Sequence, residues 1–377
     1  MRYDLIVLGA GAAGLMAAAQ LPRKRILVVE HNVRPAAKIE ISGGGRCNIT
    51  NRHLSVGEYL GDPDFIRTVL ARFDNDDLLR FLNRHGLEPV VRKKDQFFCQ
   101  ESSRELVDLF LKASEHADFS YETNIVSAGK SEDGFVVETS RGRFFGRHLL
   151  VATGGLSYAS IGATGIGYDI AESFGHTVVP PRPALVGLTL QPEEGWMKSL
   201  SGLSMPVEIS VGRRRFSDEM LFAHRGISGP AVLDASLFWN RGKITIDFLP
   251  GVKLRTLLKH PKRTAVSQIP LPRRFVQAFF DTQNLPNVPY AAMTEKQKQR
   301  LSYLKSYAFA PAGTFGYTKA EVTKGGVATD MIDPETMQSR LVEGLFFAGE
   351  VVDVTGRLGG YNFQWAFSSA VVAAKSI

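Results

Sequence analysis

The chain holds 377 residues, 44% of them hydrophobic and 22% charged, with 36 glycines. At about 100–200 residues per domain this predicts two or three domains. It excludes a disordered chain, a fibrous protein and a disulfide-stapled mini-domain. No apolar stretch reaches the ~18–20 residues that span a bilayer, and the run Trp365–Ala374 is short and broken by Ser368 and Ser369. Glycines punctuate the first apolar run and no charged leader precedes it. A soluble, cytoplasmic protein with no membrane partner is therefore expected. Cys47 and Cys99 form no CxxC pair and the eight histidines no HExxH spacing, so neither a disulfide nor a metal is expected. The net charge of +7 is a mild excess. Its local runs, Arg213–Arg215, Lys262-Arg263 and Arg273-Arg274, read first as solvated surface and second as attraction for an anion.

The first thirty residues carry the strongest signal. Tyr3–Leu8 is a short apolar run with a buried-strand pattern. The turn Gly9-Ala10-Gly11-Ala12-Ala13-Gly14 follows, then a stretch rich in helix formers that Pro22 closes. Arg25–Val29 is a second apolar run, and it ends in Glu30. This is the strand, glycine turn, helix and strand of a dinucleotide-binding unit, with an acidic residue in the right place. Gly9 permits the tight turn, Gly11 lets backbone approach a pyrophosphate, and Gly14 lets helix and strand pack closely. Ala12 and Ala13 stand in the turn as further cofactor-binding candidates, and the following helix has free N–H groups and a positive dipole end that suit phosphate. Glu30 can accept from a ribose hydroxyl.

A polar, glycine-rich loop occupies 36–52. Helical patterns are expected over Pro63–His85 and Ser103–His116, with Leu87–Cys99 strand-like between them. Glu122–Ser127, Phe135–Thr139 and Arg143–Phe145 read as a small antiparallel meander, and His148–Thr153 as a separate buried strand before Gly154-Gly155. Composition shifts after Pro180, Pro181 and Pro183. The expected organisation is a discontinuous domain of 1–185 and 315–377 around an inserted substrate domain of 186–314. In the insert, Val207–Val211 and Lys243–Phe248 read as strands. Leu254–Lys259, Arg273–Phe280 and Thr294–Tyr307 read as helices.

The end of the chain rebuilds the site. The strand Gly344–Ala348 runs into Gly349-Glu350, and Gly359-Gly360 opens the last helix. A flavin makes use of a second helix N-terminus, because reduction places negative charge on the N1–C2=O edge of the ring. Two glycine-lined helix starts at opposite ends of one chain fit FAD better than NAD. No second GxGxxG follows a strand, so NADH or NADPH would visit the flavin rather than reside.

Several blocks carry a resemblance: GAGAAGLMAA (9–18), ISGGGRCNITN (41–51), ATGGLSYASIGATGIGYDIAESFGH (152–176), HRGISGPAVL (224–233), KGGVATDMIDPETMQSR (324–340) and LFFAGEVVDVTGRLGGYNFQWAFSSA (345–370). Through them, nearly end to end, the chain resembles the bacterial FAD-dependent oxidoreductases that include aminoacetone-oxidase-like and dehydro-bile-acid-reductase-like flavoproteins. The resemblance implies a glutathione-reductase-like Rossmann FAD-binding α/β domain with an inserted β-barrel-like and helical domain. It implies that Gly9, Gly11, Gly14 and Glu30, with His31 beside them, hold the ADP half. Lys38 and the Gly43–Asn51 loop, with Gly45, Arg46, Cys47, Asn48 and Asn51, run along pyrophosphate and flavin. Val126 meets the adenine through its backbone. Thr153, Gly154 and Gly155 lie near the ADP-ribose and pyrophosphate. Gly349, Glu350, Asp353, Gly359, Gly360, Tyr361 and Asn362 surround the ribityl chain and ring. Glu40 stands where the family usually has an apolar residue, and Thr355 at a position that varies.

His224, Tyr158 and Tyr361 are the candidates for catalysis: a histidine titrates near neutral pH, and either tyrosine could stack or donate. His224 reads equally as a residue fixing the Gly226–Pro230 turn. The expected activity is hydride transfer through flavin N5, foremost as an NAD(P)H-dependent reductase of a small organic, enone-like or steroid-like substrate. The alternative is an O2-using oxidase of a small amine. A lesser reading is a flavoprotein that binds nucleic acid through its basic insert. Gly11→Val or Glu30→Ala should yield protein largely free of FAD, read as the flavin-to-protein absorbance ratio after purification. A full flavin complement in either variant would refute this placement of the dinucleotide.

Overall fold

The computed structural model describes residues 2–377. Contacts divide the chain into one unit made of the residues up to Pro183 with Glu321–Ile377, and a second, Ala184–Ala320. The sequence had drawn these boundaries near 185 and 314.

The first unit is built on a seven-stranded mixed sheet. Arg2–Leu8 lies at its centre, with Ile26–Val29 parallel on one side and Gly142–Val151 parallel on the other. Asp118–Ser120 extends the sheet beyond Ile26–Val29. Leu5 to Leu8 and Ile26 to Val29 are almost wholly buried. Continuous apolar runs of this kind belong to parallel strands covered on both faces. Helix Ala12–Ala19 and the last helix, Tyr361–Ala374, pack against each other. Twelve of the fourteen residues of the latter are buried. Each large apolar side chain removed from water there, such as Trp365 or Phe367, contributes about 1.5–3 kcal/mol.

Two expectations need correction. The meander's third strand and the strand His148–Thr153 are one strand, Gly142–Val151. Its first half pairs antiparallel with Gly134–Thr139, and its second half pairs parallel with Leu345–Phe347. Its other edge pairs with Arg2–Leu8, and the apolar pattern could not show that one edge serves two partners. The helix expected over Pro63–His85 is two helices, Pro63–Arg72 and Asn75–Arg84. Asp74 breaks the pattern by capping the second helix: its Oδ1 accepts from the Asp77 backbone (2.9 Å), and Asp77 accepts in return from the Asp74 backbone (3.3 Å). A short polar side chain that satisfies free helix N–H groups starts a helix more readily than it continues one.

The second unit is a seven-stranded antiparallel sheet with helices. Ser204–Val211 and Arg214–Ala223 form its longest hairpin. The expected helix over Thr294–Tyr307 ends early: Glu295–Ser302 is helical, and Tyr307–Phe309 is an edge strand beside Ile244–Asp247. Pro230–Phe238 is a helix that the sequence reading did not single out. Its residues are mostly buried, so it shows no one-sided apolar stripe. Phe248, Phe275, Phe279 and Trp196 form the aromatic centre of this unit, Phe248 and Phe275 with centroids 4.8 Å apart.

Burial holds two histidines of the first unit below their ordinary pKa, His148 and His176. His176 Nε2 lies 2.7 Å from Ser339 Oγ, and its ring meets Phe347 edge-on. Because the folded pKa lies below the unfolded value of about 6.5, the unfolded chain takes up more protons as pH falls through that window. The contribution to stability is complete above about pH 6.5 and is lost below it. The denaturant midpoint should therefore fall between about pH 7.5 and about pH 5, and His176→Gln should make the fall shallower. Identical slopes in both proteins would remove His176 from this role.

Candidate flavin site

The three glycines of the first turn do three different jobs. Gly9 has φ +103°, and a Cβ there would stand 2.7 Å from the Ala152 carbonyl oxygen. It is the position where two strand ends come together, and only glycine takes that backbone without strain. Gly11 is in extended backbone, and the space where its Cβ would stand is open for 4 Å. It leaves the helix N-terminus uncovered. A Cβ on Gly14 would strike the Gly9 carbonyl oxygen.

Glu30 is buried, and its carboxylate closes the turn. Oε2 accepts from the Ala10 backbone and Oε1 from the Asn32 backbone, each at 2.9 Å. His31 Nδ1 lies 3.2 Å from Oε1. Each carboxylate oxygen has a second lone pair, which leaves capacity for a ribose hydroxyl. The Thr123 and Glu122 backbones donate to Glu30 and Asn32, so the segment leading to Val126 runs beside this end of the turn. Val126 itself is exposed on strand Ile125–Ser131, at an irregularity in its pairing.

Gly43, Gly44 and Gly45 are three successive left-handed residues, with φ from +57° to +82°. Gly44 and Gly45 face open space. A run of such residues turns consecutive N–H groups outward, an arrangement suited to an anion. Arg46 is exposed beside it. Cys47 is wholly buried, and burial raises its thiol to about 12. Cys99, on the neighbouring strand segment, is raised to about 11 by burial. Neither is a thiolate near neutral pH, and Cys47 is packed as a small apolar residue.

The far end of the loop meets the last helix. Gly360 caps that helix with φ +95°, and no side chain caps it. Asn362 is turned away from the helix axis: its Nδ2 donates to Gly356 O (2.8 Å) and its Oδ1 accepts from Gly356 N (2.9 Å). Thr50 donates to Gln364 (2.6 Å), and Asn51 donates to the Gly359 carbonyl (3.3 Å). Asn48 Nδ2 donates to Gln96 (2.7 Å). Gly349 packs its backbone against Ala13, its N–H donating to Ser369 and its carbonyl accepting from Trp365. The helix that begins at the first glycine turn and the one that closes the chain thus share one wall.

A polar chain runs along the other wall. Glu350 Oε2 accepts from Lys38 (2.5 Å), and Oε1 accepts from the Thr323 backbone (2.8 Å). Thr323 Oγ1 accepts from the Leu156 and Ser157 backbones (2.8 and 3.1 Å). Lys38 Nζ stands 5.8 Å from the centroid of Tyr158, a residue held at φ +65°. The Tyr158 hydroxyl donates to Glu321 (3.4 Å), and burial followed by Glu321 raises it to about 12. Thr323 lies one residue before the block 324–340 and is not among the site residues expected from the sequence. A threonine whose side chain accepts from two backbone N–H groups of another segment leaves no trace in the sequence. Lys324, next to it, is buried, and burial and Arg182 lower its ammonium to about 8. Asp353 is raised by burial against a hydrogen bond from Gly325.

The other two catalytic candidates are Tyr361 and His224. Tyr361 is buried, and its hydroxyl donates to the His53 carbonyl (3.2 Å) while its ring meets Tyr59 edge-on. It belongs to the packing of the helix start. His224 is exposed at the two-residue turn between Arg214–Ala223 and Gly226–Ser228, in the second unit.

These residues fit FAD on their own geometry. Asn48 Oδ1 and Thr153 Oγ1 are buried without a hydrogen-bond partner among the described residues. Buried polar atoms of this kind call for a partner that the protein chain does not supply. Gly11, Gly44, Gly45 and Gly154 leave open space beside backbone N–H groups. Gly360→Ala puts this to the test. Its Cβ would stand 2.7 Å from the Thr50 backbone and 2.8 Å from Asn48 Oδ1, in a left-handed conformation. The variant should lose about 1–3 kcal/mol and retain less flavin, read by thermal unfolding and by absorbance. A normal flavin content would show that the helix start does not contact the ring.

Comparison with known proteins agrees with this geometry. The description "HI0933-like protein Rossmann domain" matches residues 3–376. The chain is 39% identical to an Escherichia coli protein named ribosomal RNA dihydrouridine synthase, covering 100% of this chain and 98% of that one. It is 29% identical to a Clostridium scindens 3-dehydro-bile acid delta(4,6)-reductase, covering 98% of each. In fold it is similar to a quinol-fumarate reductase, with a TM-score of 0.54 at 16% identity, covering 100% of this chain and 70% of that one. The chain belongs to the HI0933-like protein Rossmann domain family, and it is an FAD-dependent oxidoreductase.

Proposed function

We propose that this protein reduces a carbon–carbon double bond conjugated to a carbonyl, with a uracil ring of ribosomal RNA as the substrate and NADH or NADPH as the reductant. The observation that carries the reading is the 39% identity, end to end, with a protein named for making dihydrouridine in ribosomal RNA. The bile-acid reductase fits the same chemistry, since its name describes the saturation of double bonds in a dehydro substrate. Uracil C5=C6 is conjugated to C4=O, so both substrates present an electron-poor carbon to a hydride. The expectation from sequence put a small organic substrate first, and the 29% relative accords with it.

In the net reaction, one hydride and one proton add across the double bond and the nicotinamide is oxidised. FAD, when bound, would supply the hydride-transfer chemistry. The chain's residues bind and orient. Glu30, with the Gly9–Gly14 turn, holds the ADP half. The N-terminus of Tyr361–Ala374, which no side chain caps, would offer N–H groups and a positive dipole end to a reduced flavin. Lys38 and Glu350 fix the wall that carries Tyr158. Tyr158, protonated throughout the neutral range, holds the proton for the second carbon.

The test is anaerobic. NADH or NADPH should bleach the flavin, and deproteinised ribosomal RNA from cells lacking this protein should restore the colour and gain dihydrouridine, read by mass spectrometry. Tyr158→Phe should slow the recolouring while leaving flavin content and bleaching intact. Recolouring by a steroid dienone but not by RNA would replace this reading with a small-molecule reductase, which the 29% relative favours. No recolouring by either would refute reduction of such double bonds.

A further inference from the structure

We infer that residues 248–280 of the inserted unit form the surface that docks the phosphate backbone of the RNA; this rests on the function proposed above. The positive charge of the chain is unevenly divided. Ala184–Ala320 contains 19 Lys and Arg against 9 Asp and Glu, whereas the rest of the chain contains 26 against 29. The excess belongs wholly to the inserted unit, and the nucleotide-binding unit is slightly acidic. Within the insert the charge is concentrated again. From Phe248 to Phe280 there are seven basic residues and no acidic one: Lys253, Arg255, Lys259, Lys262, Arg263, Arg273 and Arg274.

The fold turns all seven outward. Each is exposed, while Leu258, Ala265, Ile269, Phe275, Val276, Phe279 and Phe280 of the same stretch enter the core of this unit. No ion pair ties any of the seven among the described residues. Arg274 alone is held, donating to the carbonyls of Ser199 and Ser201. The nearest acid before the stretch, Asp247, is already paired with Lys305 (2.6 Å). The stretch is also shaped. The Gln268 side chain accepts from the His260 backbone (3.0 Å) and donates to the Arg263 carbonyl (2.9 Å). These bonds gather Lys259, Lys262 and Arg263 on one compact loop. By contrast, the arginine run at 213–215 is partly used within the fold, with Arg215 donating to Glu208 (3.5 Å) and Arg214 lying 4.1 Å from the centroid of Phe238.

Unpaired, exposed cations without neighbouring acids suit a polyanion, because each phosphate they neutralise releases condensed counterions. The surface chemistry selects RNA over an anionic bilayer. Membrane-surface segments set large apolar side chains beside their cations. None of the exposed large hydrophobic residues lies between 248 and 280. Held as a fixed loop on a packed core, the cations track a backbone without reading a base, so this surface contributes affinity rather than sequence choice.

The experiment uses the full-length flavoprotein. Binding to deproteinised ribosomal RNA is titrated over a range of salt for three proteins. These are the wild type, the triple variant Lys259→Gln, Lys262→Gln, Arg263→Gln, and a control, Arg67→Gln, Arg84→Gln, Lys112→Gln, which removes the same charge from the other unit. Circular dichroism and thermal unfolding confirm that each is folded. We expect log affinity to fall linearly with log salt in the wild type. The triple variant should bind more weakly, with a slope reduced by about 2–3, at about 0.7–0.9 per phosphate contact. The control should keep the wild-type slope. An unchanged slope in the triple variant, with wild-type binding intact, overturns this surface and leaves the RNA reading standing. A wild type that does not bind RNA overturns that reading, and this inference with it. Capture by mixed phosphatidylcholine and phosphatidylserine vesicles in place of RNA would assign the surface to a membrane instead.

Discussion

Backbone can hold a charged cofactor only where no Cβ stands between its N–H groups and the ligand, and the nucleotide-binding unit is arranged around that constraint. Gly11 leaves the first helix start open, and Gly44 and Gly45 leave a turn of outward N–H groups open. Gly9, Gly14 and Gly360 act one step back, letting backbone meet backbone so that those openings share one site. The Glu30 carboxylate then fixes the arrangement. It binds the N–H groups on either side of the turn, and so ties the end of the second strand to the start of the first helix.

The same logic joins the two ends of the chain. Gly349 lies against Ala13, and the last helix packs against the first. The glycine loop reaches that helix through the Thr50–Gln364 and Asn51–Gly359 bonds. A segment more than 300 residues away in sequence therefore completes a site begun within the first fifteen. Loop closure over such a distance costs little more than closure over a short one, since the entropy grows only logarithmically. The two units are also electrically distinct. The nucleotide-binding unit is slightly acidic and the insert strongly basic.

Much of this was legible in the residues. The Gly9–Gly14 turn, Glu30 and the paired glycines before the last helix are local patterns, because each glycine answers a constraint set by its immediate neighbours. The discontinuity of the flavin unit was also legible, since the glycine-rich style returns near the C-terminus. Less visible was the sharing of one strand, Gly142–Val151, between an antiparallel and a parallel partner. An apolar run reports burial but not the identity of what buries it. The break at Asp74 was misread because a cap residue resembles any polar residue on the outer face of a helix.

The sequence by itself determined the class of fold, the location of the dinucleotide turn and the presence of a second helix start. These depend on residue type at fixed spacing. Only the tertiary structure decided which polar side chains stand on the site wall. Thr323 meets Leu156 and Ser157, and Lys38 meets Glu350 across 312 positions. It also decided that Tyr361 is committed to packing and that the basic residues of 248–280 all face outward. Hydrogen-bond partners and exposure are set by which segments the core brings together, and no spacing within one segment encodes that.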